Sequence, residues 1–215
     1  MIDKKLDQIK IHDLGKRPYQ EVWALQKETQ QKRIDGEIDD TLFMVEHEPV
    51  FTLGKNANKN HLLQNRDQSV KVFNIDRGGD ITFHGPGQLV VYPILNLSNY
   101  KKNVLWYMRT LEQIIMDTLI DFSIIAKRVE GLTGVWVNNE KIAALGVRIK
   151  KWVTMHGFSI NVNTDLNYYE GIIPCGIFNH GVTSMKEQLY CLQNIEDVKK
   201  ALLNNFIHHF MKGEY

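Results

Sequence analysis

Short strand-like segments fill the middle of this chain, and they limit its fold more than any other feature of the sequence. The run "QLVVYPILNL" (88–97) is nearly continuous in apolar residues, which is typical of a buried strand. The segment "GVWVNNEKIAALGVRI" (134–149) predicts a hairpin that turns at Asn138 and Asn139. Further strands are predicted in "TLFMVEHEPVFTLG" (41–54, interrupted at Pro49), "VKVFNID" (70–76) and "HGFSINVN" (156–163).

Helical patterns lie before, between and after these strands. The clearest covers 102–122, where apolar residues recur at three- and four-residue steps. A second covers 18–34, with Pro18 suited to a first helical turn, and a third runs over 195–211 with Asn194 as N-cap. This order predicts an α+β (mixed α/β) fold with a central, largely antiparallel sheet flanked by helices. No linker or repeat divides the 215 residues, so we expect a single domain over 1–215.

The charge balance narrows the function classes. Lys and Arg total 26 against 25 Asp and Glu, whereas proteins that bind nucleic acid usually carry a marked basic excess. The basic cluster at 148–151 is interpreted as charge at a strand end. The start, "MIDKKLDQIK", is too charged for a secretory signal, and no apolar run approaches the roughly 18 residues of a membrane span. We expect a cytoplasmic protein that binds neither nucleic acid nor membrane.

The stretch "RGGDITFHGPGQ" (77–88) concentrates four glycines around one histidine. Glycine permits positive φ and lets a ligand approach the main chain closely, but a tight hairpin turn would need the same residues. Arg77 is a candidate anchor for an anion or a carbonyl, and His84 lies between two flexible points. The stretch is neither a P-loop nor a dinucleotide fingerprint, because the residues that define those motifs are absent.

This stretch closely resembles the signature of the lipoyl(octanoyl) transferase family, whose usual form is R-G-G-x-x-T-Y-H-G-P-G-Q. The resemblance continues, in the same order along the chain, in "KIAALGVRI" (141–149), "HGFSINVN" (156–163) and "GIIPCGI" (171–177). It implies the fold of the biotin/lipoate protein ligase catalytic domain. It also implies an acyltransferase that moves an octanoyl or lipoyl group onto lysines of lipoyl-accepting domains.

The resemblance assigns a catalytic pair, Cys175 and Lys141, and no metal. It implies that three stretches bind the substrate: Arg77, Gly78, Gly79, Asp80, Ile81, Thr82, Phe83 and His84, then Ala144, Leu145 and Gly146, then Gly157, Phe158 and Ser159. Phe83 stands where the family commonly has Tyr, and Ala144 where it commonly has Ser, which leaves the pair intact. Cys191 lies among apolar residues and is interpreted as buried filler.

The chemistry of the pair can be argued from the residues themselves. A thiol has a pKa of about 8.5, so a nearby ammonium is needed to stabilise the reactive thiolate. Lys141 begins an apolar strand and can be partly desolvated there. The residues alone favour a solvent-facing charge after a turn, and the resemblance to the family reverses that preference. We expect His84 to shape the pocket or orient Lys141 rather than to act as the main base.

The resemblance further implies the partners. The donor is octanoyl-acyl carrier protein, which delivers the acyl group on its phosphopantetheine arm, so no cofactor and no ATP are expected. The acceptors are lipoyl domains of 2-oxoacid dehydrogenase E2 subunits and the glycine cleavage H protein. Two alternatives stay open: an ATP-dependent lipoate or biotin ligase, which would need no cysteine, and a non-catalytic module that binds acyl groups or lipoyl domains.

Overall fold

The computed structural model describes residues 9–173 and 181–211. Its three long helices are those predicted: α1 (Tyr19–Asp35), α2 (Val104–Ile120) and α4 (Ile195–Met211), with a short α3 (Met185–Leu189) before the last. Asparagine side chains begin two of them. Asn103 accepts from the Trp106 amide at 2.9 Å and Asn194 from the Glu196 amide at 3.0 Å. Pro18 lies at the N-cap of α1, one position earlier than expected.

The main sheet contains eight of the described strands. Its order is β1-β2-β6-β10-β9-β8-β7, and β11 pairs with β9 off this path. Only β1 with β2 and β11 with β9 are parallel, so the prediction of a largely antiparallel sheet is confirmed. The strands are β1 (Ile9–Arg17), β2 (Asp40–His47), β6 (Gln88–Ile94), β7 (Lys127–Val129), β8 (Leu132–Val137), β9 (Glu140–Lys150), β10 (Val153–Asn161) and β11 (Gly181–Val182).

A second, three-stranded sheet was not expected. It has the order β4-β3-β5, with β3 at Val50–Leu53, β4 at Lys71–Asn74 and β5 at Ile81–His84. The expectation of one central sheet is therefore incomplete: the segments predicted at 41–54 and 70–76 divide between two sheets. The strand β5 lies inside the glycine-rich stretch, where four residues bounded by glycines give too short a pattern to recognise.

The helices cover both faces of the main sheet, and β6 shows why its sequence is apolar throughout. On one face Leu89 and Val91 join the core formed with α2 and α4; on the other, Val90 and Tyr92 pack toward Val22 of α1. Burying each such side chain stabilises the fold by about 1.5–3 kcal/mol. Across 9–173 and 181–211, no helix combines the length and apolar character needed to cross a bilayer.

Candidate active site

A cavity that is partly open to solvent lies where the two sheets and α1 meet. Its volume is about 490 Å³, counted out to its open mouth. The three stretches that the sequence assigned to substrate binding converge on it, although they are far apart along the chain. It is lined by Tyr19, Arg77, Gly79, Asp80, Ile81, Thr82, His84, Val90, Tyr92, Ala144, Leu145, Gly146, His156, Gly157, Phe158 and Ser159.

Two residues of the predicted set lie elsewhere. Phe83 alternates away from the cavity along β5 and stacks on Tyr168, with ring centroids 4.5 Å apart, in the core of the small sheet. The presence of Phe83 instead of tyrosine therefore removes no hydroxyl from the cavity lining. Gly78 lines the neighbouring groove instead, and its amide donates to the carbonyl of Val147 at 3.0 Å.

The glycines hold the motif against β9 at close range. Gly79 has a φ of +84°, a conformation that L side chains rarely adopt. A Cβ on Gly146 would lie 2.9 Å from both the Gly78 carbonyl oxygen and Arg77 Cδ. The main chain itself therefore forms this wall of the cavity, as the glycine content led us to expect.

Arg77 acts as the carbonyl anchor of the motif. Its guanidinium is buried and donates to the Thr52 carbonyl at 2.8 Å, to the Thr52 hydroxyl at 3.0 Å and to the Gly78 carbonyl at 3.0 Å. These bonds tie the glycine-rich stretch to β3 of the small sheet. The cavity therefore has a fixed wall on this side.

His84 is held in one tautomer by Gln88. The two N–H groups of Gln88 Nε2 donate to Phe83 O and Asn161 Oδ1, so Gln88 Oε1 is the acceptor for the His84 Nδ1–H, 2.7 Å away. Burial, reinforced by His47, lowers the pKa of His84 to about 3. The ring is therefore neutral at physiological pH, with its Nε2 lone pair available.

The other imidazoles around the cavity are neutral as well. His47 Nδ1 donates to Arg17 O and its Nε2 accepts from the Tyr92 hydroxyl, both at 2.8 Å, and burial lowers its pKa to about 4. Burial also lowers the pKa of His156, although Asp76 accepts from its Nε2 at 2.9 Å. Arg77 and Asp80 are the charged residues of the cavity lining, and its other side chains are uncharged, which suits an apolar ligand.

Lys141 lies beside the cavity mouth rather than inside it. It is the second residue of β9 and only 6% exposed, with Nζ 4.8 Å from the centre of the Trp136 ring. The predicted desolvation is confirmed, and the alternative of a solvent-facing charge is wrong. Lys141 lines an open groove that shares Gly79, Asp80, Ala144, Leu145 and Gly146 with the cavity.

Cys175 lies outside the described residues, but the described residues before and after its segment have defined backbone partners. Before it, the Ile173 amide donates to the His61 carbonyl at 2.8 Å. After it, Val182 pairs with Lys141 in the parallel β11–β9 ladder, and the Thr183 amide donates to the Lys141 carbonyl at 3.0 Å. The chain therefore returns from this segment directly alongside the predicted catalytic lysine.

Cys191 is not the buried filler that its apolar neighbours suggested. It is exposed, and its Sγ accepts from Gln193 Nε2 at 3.2 Å. The segment lies between the short helix α3 and α4, and its neighbours Tyr190 and Leu192 are exposed as well. An exposed thiol must be controlled in any labelling experiment on this protein.

Sequence reasoning missed several residues at the closed part of the cavity. Tyr92 and Val90 follow from the alternation of β6, which puts both on one face. His156 stood within a recognised stretch but was not assigned, and its φ of +61° marks a constrained backbone. Tyr19 is contributed by the first turn of α1, and no local pattern ties that turn to the glycine-rich motif.

The comparisons with known proteins agree with this geometry. The model of the lipoyl protein ligase A/B catalytic domain matches residues 18–207. The octanoyltransferase of Solibacter usitatus is 46% identical over 204 residues, covering 93% of this chain and 92% of that protein. The octanoyltransferase of Flavobacterium johnsoniae is 41% identical and covers 96% and 97%.

Solved structures share the fold at low sequence identity. P. falciparum LipL1 in complex with lipoate superposes with a TM-score of 0.73 at 19% identity, covering 95% of this chain and 63% of that one. Biotin protein ligase from Aquifex aeolicus gives 0.54 at 14% identity, covering 94% and 69%. The fold expected from the motifs is confirmed, and the chain belongs to the lipoyl protein ligase A/B catalytic domain family.

Proposed function

We propose that this protein transfers an octanoyl group to a lysine of lipoyl-accepting domains, in protein lipoylation. The observation that carries the proposal is the mostly uncharged cavity that adjoins the groove containing the buried Lys141. An eight-carbon chain needs an apolar slot, and its carbonyl needs charged or polar groups at the mouth. Relatives named octanoyltransferase at 41–46% identity support the same activity.

In the proposed first step, the Cys175 thiolate attacks the carbonyl carbon of an acyl thioester. The bond from that carbon to the donor sulfur breaks, and the Lys141 ammonium gives its proton to the departing thiolate. The octanoyl group is then held on Cys175, and Lys141 is neutral. Supporting this pairing, the chain that follows Cys175 rejoins the sheet at Val182, opposite Lys141.

In the second step, the amine of the acceptor lysine attacks the acyl-cysteine. An amide bond forms, the Cys175 thiolate leaves, and neutral Lys141 takes the proton lost by the amine, which restores the starting state. Lys141 is buried beside the cavity mouth, so its side chain is shielded from bulk solvent during both proton transfers. His84, neutral and bonded to Gln88, shapes the cavity.

We further propose the partners of the two steps. The donor is octanoyl-acyl carrier protein, and the acceptors are E2 lipoyl domains and the glycine cleavage H protein. Exchange between thioesters is nearly isoenergetic and conversion of a thioester to an amide is downhill, so the scheme uses no ATP and no cofactor.

The direct test is intact-mass measurement after mixing the protein with octanoyl-carrier protein. We expect one octanoyl adduct that hydroxylamine removes, that is absent in Cys175→Ala and that persists in Cys191→Ala. An adduct retained in Cys175→Ala would overturn the assignment of the nucleophile. Pyrophosphate release from ATP and free octanoate would instead identify an adenylating ligase.

A further inference from the structure

The cavity adjoins two different grooves. At its mouth it shares Gly79, Asp80 and the stretch 144–146 with the open groove that contains Lys141. A second groove on the outer surface shares none of these mouth residues and is lined by Pro18, Tyr19, Gln20, Glu21, Ala24, Glu48, Pro49, Val50, Lys71 and Phe73. Tyr19 is the one residue in the linings of both the cavity and this outer groove.

Tyr19 therefore separates the two spaces. Its side chain is 4% exposed, and neighbouring rings hold it in place. The ring lies parallel to that of His84, with an 8° interplanar angle and centroids 6.0 Å apart, and meets the edge of His47 at 5.2 Å. Phe73 lies 5.6 Å away on the side of the outer groove. A ring fixed by three neighbours cannot move aside without breaking their packing.

We propose that Tyr19 is the stop that sets the longest acyl chain this enzyme accepts. The inference rests on the proposed function: the acyl carbonyl lies at the mouth beside Lys141, and the chain extends toward Tyr19. A chain that reaches the ring can go no further. Without the ring, the cavity continues into the outer groove, where additional methylenes of the acyl chain can pack against Val50 and Phe73.

The bulk of the ring, rather than its hydroxyl, carries this role. Substitution by phenylalanine keeps the barrier, whereas alanine removes it. Trp23 offers a matched control because it packs in the same cluster, with its ring centroid 6.3 Å from that of Tyr19, but lines neither the cavity nor the outer groove.

The experiment is an internal competition. Octanoyl- and dodecanoyl-carrier protein are mixed in equal amounts with the enzyme, and the ratio of the two adducts on the protein is read by intact mass. The ratio does not depend on the fraction of enzyme that is folded, so loss of stability in a variant does not obscure the result. Tyr19→Leu, which keeps part of the apolar bulk, replaces Tyr19→Ala as the test variant if the alanine variant does not fold.

We expect Tyr19→Ala to raise the dodecanoyl-to-octanoyl ratio by about tenfold or more, since each newly buried methylene contributes about fourfold. Tyr19→Phe and Trp23→Ala should keep the wild-type ratio within about twofold, by the same scale. An unchanged ratio in both the alanine and leucine variants, or a shift in Tyr19→Phe as large as in Tyr19→Ala, overturns the stop. Absence of any octanoyl adduct on the wild-type enzyme would instead refute the proposed function.

Discussion

Replacing Gly157 with alanine should remove much of the protein's free energy of unfolding. An added Cβ would lie 2.2 Å from the carbonyl oxygen of Val91, so one of the two would have to move about 1.2 Å to reach an ordinary contact of 3.4 Å. Val91 cannot retreat, because its strand is paired with Met44 on one side and with Phe158 on the other. Strain of this kind usually costs 1–3 kcal/mol, and we expect at least about 3 kcal/mol here.

The measurement is urea unfolding without substrate. A loss of about 3 kcal/mol, divided by a slope of about 2–3 kcal/mol per molar, predicts a midpoint lower by roughly 1 M. Gly78→Ala is the matched control: its Cβ would meet only the Val147 carbonyl oxygen, at 3.6 Å, so it should shift the free energy of unfolding by less than about 1 kcal/mol. Equal midpoints for the two variants would refute the steric reasoning.

Three further predictions concern charge and reactivity. Lys141→Arg should retain some acyl-enzyme formation but transfer octanoyl poorly, because arginine keeps the charge and cannot release its proton. Lys141→Met should lose both activities. Single-turnover assays distinguish the two steps, and wild-type transfer in Lys141→Met would exclude Lys141 from the catalytic pair. Alkylation of the native protein should modify Cys191, because it is exposed, so the pH profile of Cys175 should be measurable only in Cys191→Ala; an unlabelled Cys191 would contradict the structure. Burial lowers the pKa of His47 from 6.5 to about 4, so the unfolded state binds the extra proton and stability should fall as pH drops from 6.5 toward 4; His47→Gln should lessen that fall in acid unfolding curves, and an identical fall would refute the assignment.

The regular elements could be predicted because their patterns are local. The three- and four-residue steps in α2 and the apolar run of β6 each reflect burial of that segment, and the structure confirms both. The strand β1 (Ile9–Arg17) was missed because most of its residues are exposed at a sheet edge, so its sequence carries no burial pattern. The small sheet was missed for a different reason. The pairing of β3 with β4 and β5 is decided by tertiary packing, and no local sequence pattern predicts it.

The residues of the site likewise fall into those that a local motif predicts and those that packing decides. Motif resemblance assigned the mouth of the cavity and Lys141, because those positions depend on residues that are few and closely spaced. It could not assign Tyr19 or the exposed position of Cys191, which are decided by how α1 and the segment before α4 pack. Whether a side chain closes a cavity or faces solvent is a property of the assembled elements.

Where the cavity and the Lys141 groove share Gly79 and Gly146, the main chain itself forms the wall. Main-chain atoms are common to all residue types, so point substitutions have little means of adjusting this wall except by destroying it. The far end is made of side chains, which single substitutions can enlarge or shrink. Variation among homologues in the length of the transferred chain should therefore accumulate around Tyr19, while the neighbourhood of the reacting carbonyl stays constant.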